Sequence, residues 1–540
     1  MATPDKKLAL ISVSDKAHIT DMAKFLVQLN FEILSTGGTA KTLREAGIPV
    51  TQVSDHTGFP EIMDGRVKTL HPKIHGGLLG MRDLPSHAEQ AAKNNIRWID
   101  LVIVNLYPFE QTVAKPNVKI EEAIENIDIG GPSMIRSAAK NHKFVTVLTD
   151  PADYRRVLEE FNVRGETSLK TRQELAAKAF ALTARYDAAI DAYLSRNLTH
   201  KNVLHLAYED GETLRYGENA HQSAVFYKSH DTETSIAIAK KLHGKELSFN
   251  NIVDADAALE CAREFAGQKA VVVVKHTNPC GIAVGDTLDE AFEMAWKGDP
   301  VSAFGSVIAC TDTVDGRTAR RLAGRFVEIL VAPDFTPEAL EFLKDKSHDI
   351  RILKTGPLDA QMRPKKVYRP VIGGILEQDR DAIVFEKLDT VTKAAFPKNK
   401  LELAKFAYAA CKHIKSNTIA LAHEYKPGLF MLLGMGAGQP NRVDSLRKLC
   451  ATKAEENLLL FHKEQAATEP FADYKQRIFG ECVMASDAFF PFDDTVREAA
   501  KFGIKYIIQP GGSKRDADVI KACDELGIAM CLTHTRHFKH

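Results

Sequence analysis

"LALISVSDKAHITDMAKFLV", residues 8–27, reads as a strand, a turn and a helix in succession. The apolar run at 8–13 predicts a buried strand. The polar turn Ser14-Asp15-Lys16 follows it, and one helical face then collects Ile19, Met22, Ala23, Leu26 and Val27. This order is typical of an α/β doubly wound parallel sheet, whose ligands bind at the carboxyl ends of the strands.

The same order recurs over the first 200 residues. "FEILSTGGTA" (31–40) reads as a strand, a glycine turn and a short helix that stops at Gly47. "IDLVIVNLYPF" (99–109) and "KFVTVLTD" (143–150) are further strands, and residues 151–200 carry helical patterns. We therefore predict a doubly wound parallel-sheet domain over residues 1–200, with a boundary near 200.

Residues 201–540 are predicted to be α/β again and long enough for two subdomains. The segment "HLAYEDGETLRYGENAHQ" (205–222) is polar and should be poor in strands. Strand candidates lie at 271–274, 305–310, 329–332, 430–433, 482–485 and 506–509. "GSVIACT" (305–311) and "FMLLGMG" (430–436) each follow a long helical stretch and precede a polar turn, which hints at an internal duplication.

Composition narrows the class of protein. Lys+Arg and Asp+Glu both number 71, so no global field attracts nucleic acid or an anionic membrane. No apolar run reaches the ~18–20 residues of a membrane span, and the opening segment does not read as a signal peptide, so cytoplasm is the expected location. The 8 cysteines form no CxxC pair, which favours reduced thiols over a disulfide framework or a zinc site.

Two turns near the amino terminus suit a phosphate. Ser14-Asp15-Lys16 and Thr36-Gly37-Gly38-Thr39 each stand between a strand and the start of a helix. Backbone N–H groups at a helix amino end, beside glycine and hydroxyl side chains, favour an anion. The alternative is that these hydroxyls only cap helices.

The segment "GRVKTLHPKIHGG" (65–77) concentrates basic residues. Alternation would place Arg66 and Lys68 on one face of an extended chain, where they could bind an anion or move protons. A solvated basic loop is the alternative. His71 and His75 lack a third metal ligand at useful spacing, so structural roles are expected for both.

Asp128, in "IDIGG" (127–131), stands at a tight turn into a helix. Lys140 shares a helix face with Arg136, four residues away. Alone, Asp128 would cap the helix. With Tyr107 and Lys140 it could orient a substrate amide and exchange its proton.

"AVVVVKHTNPCGIAVG", residues 270–285, ends a valine strand in Lys275-His276. Burying these two side chains in an apolar core would be costly, whereas an accessible histidine suits proton abstraction. Arg215 and Tyr216, in "LRYGENAHQ" (214–222), suit a phosphate and an aromatic ring, or else lie on a surface loop.

Two later motifs remain ambiguous from their residues. The aromatic "AFFPF" (488–492) is usually core, but flanking Asp487 and Asp494 would let it clamp a flat heterocycle. "GMGAG" (434–438) lacks the following helix and the acidic residue of a dinucleotide site.

Together and in this order, "SVSDK", "GRVKTLHPKIHGG", "IDIGG…RSAAKNH", "VVKHTNPCG", "SDAFFPF" and "RHFKH" span nearly the whole chain. The chain closely resembles the bifunctional purine-biosynthesis family that joins AICAR (phosphoribosylaminoimidazolecarboxamide) formyltransferase to inosine monophosphate (IMP) cyclohydrolase. The resemblance implies a methylglyoxal-synthase-like domain over 1–200 and a formyltransferase region of two cytidine-deaminase-like subdomains over 201–540.

In the second region, the resemblance implies formyl transfer from 10-formyltetrahydrofolate to the 5-amino group of AICAR, which gives FAICAR. His276 would be the base, and Lys275 and Asn417 would stabilise the tetrahedral intermediate and protonate the leaving N10. The positions matching ribotide contacts are Arg215, Tyr216, Gly305, Glu328, Arg442, Phe489 and Arg536. Those matching folate contacts are Phe492, Asp494, Ser513 and Lys514.

In the first domain, the resemblance implies cyclodehydration of FAICAR to IMP. Lys140 would accept and donate the proton, Lys68 would stabilise the oxyanion, and Tyr107 and Asp128 would orient the amide. The positions matching nucleotide contacts are Ser14, Asp15, Lys16, Thr36, Gly37, Gly38, Thr39, Arg66, Thr69 and Asn105.

The resemblance also implies a homodimer, no catalytic metal, and leaves open a structural monovalent cation. Two positions depart from its pattern: Ala220 stands where proline is common, and His534 where glycine is common. Two rival readings are a non-catalytic nucleotide-sensing protein and a folate-independent enzyme that uses formate and ATP. The intact lysines and His276 argue against the first, and the lack of a Walker-type loop against the second.

Overall fold

The computed structural model describes residues 6–229, 233–358 and 365–540. The chain divides into two compact units, Met1–Ala207 (unit 1) and Tyr208–His540 (unit 2). No helix within the described ranges is long and apolar enough to cross a membrane.

Unit 1 contains a five-stranded sheet in the order β3-β2-β1-β4-β5, and every pairing in it is parallel. Its strands are β1 Lys7–Val13, β2 Phe31–Ser35, β3 Thr51–Gln52, β4 Leu101–Asn105 and β5 Thr146–Leu148. Its helices are α1 Ile19–Gln28, α2 Gly37–Glu45, α3 Val53–Thr57, α4 Pro72–Leu79, α5 Pro85–Lys93, α6 Phe109–Val113, α7 Ile120–Glu125, α8 Gly130–Lys140, α9 Tyr154–Arg164 and α10 Leu169–Thr199, with a 3-10 turn at Pro151–Asp153.

The apolar runs of the sequence form the core of unit 1. Residues 8–11 of β1 and 101–104 of β4 are buried, and the apolar face of α1 packs against them. The predicted strand–turn–helix order is thus the observed one, because strands covered by helices on both faces need continuous apolar sequence.

Unit 2 contains a 12-stranded sheet in the order β16-β21-β20-β19-β17-β18-β10-β9-β11-β12-β13-β8. Its strands are β8 Lys240–His243, β9 Lys269–Lys275, β10 Asn278–Gly285, β11 Ser306–Cys310, β12 Val327–Ala332, β13 Arg351–Lys354, β16 Asp389–Thr390, β17 Ile419–Lys426, β18 Leu429–Gly436, β19 Val483–Ser486, β20 Tyr506–Gln509 and β21 Ala529–Leu532. Two small two-stranded sheets are formed by β6 Glu209–Leu214 with β7 Ala224–Lys228, and by β14 Lys366–Val371 with β15 Gly374–Asp379.

Helices cover both faces of the large sheet. They are α11 Phe249–Arg263, α12 Leu288–Lys297, α13 Pro300–Ala303, α14 Gly316–Arg320, α15 Pro337–Lys346, α16 Leu401–Lys412, α17 Arg442–Asp444, α18 Ala451–Glu464, α19 Phe471–Glu481, α20 Asp494–Lys501 and α21 Asp516–Leu526. A 3-10 turn at Lys398–Lys400 and a π-helical turn at Ser445–Cys450 complete them. The valines of β9 alternate between the two faces: Val271 and Val273 join one core, Val272 and Val274 the other.

The large sheet is an internal duplication. From the middle outward, β10-β9-β11-β12-β13-β8 and β18-β17-β19-β20-β21-β16 have the same order and the same strand directions. The two halves meet where β10 pairs antiparallel with β18. The predicted fold class, a parallel-sheet domain followed by a region of two α/β subdomains, is confirmed.

Two predictions about the strands of unit 2 were wrong, and one strand was not predicted. "GSVIACT" lies in β11 and "FMLLGMG" in β18, but the counterpart of β11 is β19 and that of β18 is β10. The polar segment at 205–222 contains β6, an exposed strand with little apolar sequence to mark it. β10 is not among the predicted strands, because it begins with Asn278-Pro279-Cys280-Gly281, residues that usually end strands.

Two candidate active sites

The first candidate site lies at the topological switch point of unit 1. The chain runs from β1 to β2 on one side and later fills β4 and β5 on the other, which leaves a crevice at the carboxyl ends of β1 and β4. Asn105 spans this crevice: its Oδ1 accepts from the backbone N–H of Ser14 (2.6 Å) and of Asp15 (3.0 Å). Its Nδ2 donates to the Asp15 carbonyl at 3.0 Å. Asn105, a predicted nucleotide contact, therefore fixes the conformation of the β1 turn.

The amino end of α2 opens next to that turn. Thr36 precedes the helix in an extended conformation, and its side chain makes no capping hydrogen bond. Thr39 is committed to the fold, because its hydroxyl accepts from Val13 N–H and donates to the Val13 carbonyl, both at 3.0 Å. Gly37 and Gly38 are exposed, so the first N–H groups of α2 are open to an anion.

Lys68 and Thr69 connect α2 with α8. A Cβ on Gly37 would lie 3.6 Å from Lys68 Nζ, and a Cβ on Gly130 would lie 2.9 Å from Thr69 Oγ1. Lys68 also forms an ion pair of 3.4 Å with Glu61. The Lys68 ammonium group thus lies beside the first turn of α2.

Asp128 lies at the first turn of α8. Its Oδ1 accepts from Gly131 N–H at 2.8 Å, and the backbone of Tyr107 donates to the same carboxylate. Burial outweighs these bonds and raises the pKa of the Asp128 carboxyl group. A Cβ at position 131 would collide with this carboxylate, so only glycine allows the close approach.

The remaining contacts of this site are peripheral. Arg66 forms an exposed ion pair with Glu125, and Lys16 is exposed in the β1 turn. His71 Nδ1 accepts from Lys73 N–H at 3.1 Å and so caps α4. His75 Nδ1 lies 3.0 Å from Ser137 Oγ, and burial lowers its pKa.

Among the described residues, no three His, Cys, Asp or Glu side chains converge to hold a metal ion.

Lys140 does not join the switch-point residues. It is the last residue of α8, and Asp128 precedes the first. Ten residues of helix rise roughly 15 Å, and α8 runs back toward the amino ends of the strands. Within one protomer, Lys140 therefore lies at the opposite edge of the sheet from Lys68 and Thr69.

A cavity of about 500 Å³ opens on the α10 side of the switch point. It shares Ser14, Asp15 and Asn105 with the site and adds Lys178 and Arg185 of α10. Lys178 forms ion pairs with Asp150 (2.6 Å) and Asp153 (2.7 Å). The sequence reading did not select these cations, although positions 178, 182 and 185 share one helix face.

The second candidate site begins at the turn between β9 and β10. Lys275 pairs with Asn278, so His276 and Thr277 alone form the turn. Both have left-handed backbone angles, φ 51° and 62°, as a type I′ turn requires. Asp254 Oδ1 accepts from Thr277 N–H at 2.7 Å, and Asn278 Nδ2 donates to the His276 carbonyl at 3.1 Å.

The side chains at this turn are accessible. Lys275 is half-buried, and its Nζ donates to the carbonyls of Phe304 (2.9 Å) and Gly305 (3.2 Å). His276 is exposed. Glu328 forms an ion pair of 2.7 Å with Arg351. The turn is thus open to a ligand and is not sealed in apolar packing.

A cluster around Arg442 lies on the same edge of the sheet. Arg442 donates to Ser486 Oγ at 3.1 Å and to Asp487 Oδ1 at 3.0 Å. Its guanidinium lies 5.8 Å from the ring of Phe538, and that of Arg536 lies 4.4 Å from the same ring. Two cations and an aromatic face are suited to an anionic ligand with a flat ring.

Asn417 joins this cluster to the β9–β10 turn. Its Nδ2 donates to the carbonyls of Gln439 and Pro440, both at 3.0 Å. Two residues earlier, Lys415 N–H donates to Asn278 Oδ1 at 3.0 Å. Since β10 and β18 are antiparallel and Ala283 pairs with Met431, the start of β10 lies beside the end of β18.

The predicted folate positions lie beyond the carboxyl ends of β19 and β20. The Arg515 guanidinium lies 4.9 Å from the centre of the Phe492 ring, which connects the two segments. Asp494 Oδ1 accepts from Thr495 N–H at 2.7 Å, and Ser513 Oγ accepts from Arg515 N–H at 3.1 Å. Phe489 is half-buried, and Lys514 is exposed.

Arg215 and Tyr216 form a pair of their own after β6. Arg215 Nη2 donates to the Tyr216 hydroxyl at 2.8 Å. Within the described ranges, no hydrogen bond or ion pair joins them to His276 or to Arg442. The loop keeps its shape with Ala220, since Gln222 accepts from Gly217 N–H and Asn219 N–H.

The backbone at His534 suits the glycine that the family resemblance leads us to expect there. Its φ is 58°, a conformation that glycine adopts without strain. Here Asp389 holds the histidine, with His534 Nε2 2.9 Å from Asp389 Oδ2.

Comparison with known families shows the family to which the chain belongs. Residues 138–453 match the family described as "AICARFT/IMPCHase bienzyme", and residues 18–133 match the MGS-like domain. The chain belongs to the AICARFT/IMPCHase bienzyme family. A bienzyme of this family carries AICAR formyltransferase and IMP cyclohydrolase, the last two steps of IMP synthesis, in one chain.

The bienzyme also has curated relatives along its whole length. The bifunctional purine biosynthesis protein PurH of Streptococcus thermophilus is 49% identical over 99% of this chain and 100% of its own. PurH of Lactobacillus delbrueckii subsp. bulgaricus is 49% identical with the same coverage. A crystal structure described as that of ForH is 38% identical over 34% of this chain and 97% of its own, with a TM-score of 0.31.

Proposed function

We propose that unit 2 formylates AICAR at the edge of the large sheet and that unit 1 then closes the second purine ring at its switch point. Each unit has its own hydrophobic core and its own cluster of cationic, hydroxyl and amide groups. Ring closure removes the formylated product and so draws the reversible formyl transfer forward.

The exposed turn at His276 carries the formyltransferase proposal. Left-handed backbone costs about 1–3 kcal/mol per residue and is most costly for a β-branched residue such as Thr277. Such strain persists where a side chain must be held at a defined point. We assign His276 as the base for the poorly nucleophilic 5-amino group of AICAR.

The amine nitrogen of AICAR forms a bond to the formyl carbon of 10-formyltetrahydrofolate, and the bond from that carbon to N10 then breaks. His276 takes the amine proton, and a proton goes to N10. Lys275 and Asn417 are assigned to the negative charge on the formyl oxygen and to protonation of N10.

The ribotide and the folate are assigned to neighbouring contacts. Arg442, Arg536 and Phe489 suit the phosphate and the imidazole, and we place Arg215, Tyr216, Gly305 and Glu328 on the ribotide side. Phe492, Asp494, Ser513 and Lys514 are placed on the folate side. A structural monovalent cation would fit Asp487, whose Oδ2 is buried without a hydrogen-bond partner in the described structure.

For ring closure, the carboxamide nitrogen attacks the formyl carbon of the same molecule and water leaves. Holding one conformer supplies much of the acceleration. We assign the phosphate to the turns at Ser14-Asp15-Lys16 and Thr36-Gly37-Gly38-Thr39. Lys68 is assigned to the developing oxyanion.

Tyr107 and Asp128 are assigned to the amide, and Arg66, Thr69 and Asn105 to the nucleotide. Within one protomer we assign the proton transfer to Lys68 as well, because Lys140 lies at the other end of α8. Lys140 could contact a ligand only in a neighbouring copy.

The proposed assembly is a cytoplasmic homodimer. The β14–β15 hairpin favours packing against a second copy of the chain, because an isolated two-stranded sheet is at best marginally stable in water. Its strands are almost wholly exposed, and Ile372 at its turn is fully exposed.

An ultraviolet assay with purified protein, AICAR and 10-formyltetrahydrofolate tests the whole proposal by the appearance of IMP. His276→Ala should lower formyl transfer by about 10²–10⁴-fold and leave cyclisation of supplied FAICAR intact. Lys68→Ala should do the reverse and accumulate FAICAR.

Lys140→Ala is the matched control for Lys68→Ala. We expect the cyclisation rate of Lys140→Ala to stay within about twofold of that of the parent enzyme. Loss of an acid–base group would lower it by about 10²-fold or more. Loss of both activities in a folded His276→Ala protein would overturn the two-site proposal. A loss with Lys140→Ala equal to that with Lys68→Ala would overturn the assignment of proton transfer to Lys68 and would indicate that Lys140 acts on the ligand of a neighbouring copy.

A further inference from the structure

We propose that Tyr186 is a positioning residue for ring closure, acting through Asp128. This inference rests on the role of Asp128 in the proposed cyclohydrolase site. Tyr186 lies on α10, and 58 residues separate it from Asp128 along the chain.

The Tyr186 hydroxyl binds the backbone on both sides of Asp128. It accepts from Asp128 N–H at 2.7 Å and donates to the Asn126 carbonyl at 3.3 Å. The Asp128 carboxylate in turn accepts from Gly131 N–H at 2.8 Å. The backbone of Tyr107 donates to the same carboxylate. The main chain and the carboxylate of Asp128 therefore have separate anchors, and the anchor of the main chain is supplied by α10.

Packing holds the Tyr186 ring in place. The residue is 7% exposed and belongs to a small separate core with Phe109 and Ala123. The rings of Tyr186 and Phe109 meet edge-on at 6.2 Å. Burial raises the pKa of the Tyr186 hydroxyl, so the group stays protonated at neutral pH.

This small core is separate from the main core of unit 1. Leu106 and Ile127 pack against it, so the segment between β4 and α8, with Tyr107 and Asp128 at its two ends, rests on α10. The MGS-like match covers residues 18–133 and ends before α10. The element that positions Asp128 therefore lies in the part of the chain that matches the bienzyme family, residues 138–453.

Tyr186→Phe in the full-length protein tests the inference, because it removes the hydroxyl and keeps the ring. Tyr193→Phe is the matched control: Tyr193 lies on the same helix and meets Phe109 edge-on at 5.8 Å, without a described bond to Asp128. Loss of one positioning hydrogen bond should lower kcat for FAICAR cyclisation about fivefold to tenfold. Because this hydrogen bond positions Asp128 and is not itself a contact with the substrate, we expect KM to stay within about twofold.

Two further readouts separate positioning from a general structural effect. If Tyr186 acts through Asp128, the double variant Tyr186→Phe/Asp128→Asn should cyclise FAICAR no more slowly than Asp128→Asn alone. Amide hydrogen exchange of the 126–129 segment should be faster in Tyr186→Phe than in Tyr193→Phe. This exchange measurement also decides the question if the Tyr186→Phe enzyme is too unstable for kinetics.

Equal kcat and equal exchange in the two Tyr→Phe variants would overturn the inference. Additive effects of Tyr186→Phe and Asp128→Asn would also overturn it. Full cyclisation by Asp128→Asn would instead overturn the proposed role of Asp128, an outcome distinguishable from the other two.

Discussion

At the scale of single residues, this chain places charge where burial makes it costly. The Asp128 carboxyl group is partly buried at the start of α8, and the Arg442–Asp487 pair is almost entirely buried. Such groups persist in proteins when a ligand uses them or when every polar atom has a partner.

Asp128→Asn should raise the thermal stability of unit 1 at pH 7 while it slows cyclisation. Burial raises the pKa of Asp128 in the folded state, so the native protein holds more protons than the unfolded chain between the ordinary and the raised pKa. Stability therefore falls as pH rises through this interval, and asparagine removes that penalty. The melting temperature of Asp128→Asn should exceed that of the parent protein most at pH 7. The difference should be smaller toward about pH 4, near the ordinary pKa of aspartate. A lower melting temperature at pH 7 would contradict this expectation.

Arg442→Met should destabilise unit 2 by about 3–5 kcal/mol, because it leaves Asp487 as an unpaired buried charge. The Asp487 side chain is 0% exposed and that of Arg442 10%. Urea denaturation measures the loss, and adding Asp487→Asn to Arg442→Met should recover much of it. No recovery in the double variant would mean that the ring and hydroxyl contacts of Arg442 dominate.

At the scale of elements, the β9–β10 turn shows how a strand end becomes a candidate site. The buried valines hold β9 rigidly, and the two-residue turn then projects His276 from the edge of the sheet. Turns of this type favour Asn-Gly, so His-Thr makes this turn less stable while it holds the histidine side chain at a defined position.

Thr277→Gly should stabilise unit 2 by about 1 kcal/mol, because glycine accepts φ 62° without strain and keeps the N–H that donates to Asp254. Asn30→Gly is the matched control: Asn30 has φ 64° at the end of α1, but asparagine tolerates this conformation. Chemical denaturation should show a higher midpoint for Thr277→Gly and little change for Asn30→Gly. An unchanged midpoint in both would show that the turn is not strained.

At the scale of the whole molecule, the hydrophobic cores separate with the units. The main core of unit 1 involves residues between 8 and 182, and both large cores of unit 2 lie beyond residue 235. No helix or strand spans the division after residue 207. Separate cores permit separate folding and separate activity.

Residues 1–207 expressed alone should fold and cyclise supplied FAICAR, and residues 208–540 alone should formylate AICAR. Calorimetry of the full chain should resolve two transitions, because units with separate cores unfold as separate cooperative systems. A folded but inert 1–207 fragment would show that unit 2 contributes to the first site. The intact chain serves as the control for both rates.

The strand–turn–helix order of unit 1 could be predicted because every signal for it is local. Apolar runs such as 8–13 and 101–104 indicate strands that are buried on both faces, and glycine and hydroxyl residues indicate the turns that follow them. The same local signals single out His276 as a candidate, since a histidine that ends a valine strand is visible within a few letters. Local signals failed for β10, whose first residues look like a turn.

Contacts between distant segments required the tertiary structure. A four-residue spacing correctly groups Arg136 and Lys140 on one helix, but it does not reveal that α8 carries Lys140 away from Lys68. Tyr186 likewise meets Asp128 only because α10 packs under the segment before α8. Hydrophobic periodicity depends on neighbours along the chain, whereas a binding site depends on which ends of which elements meet in space.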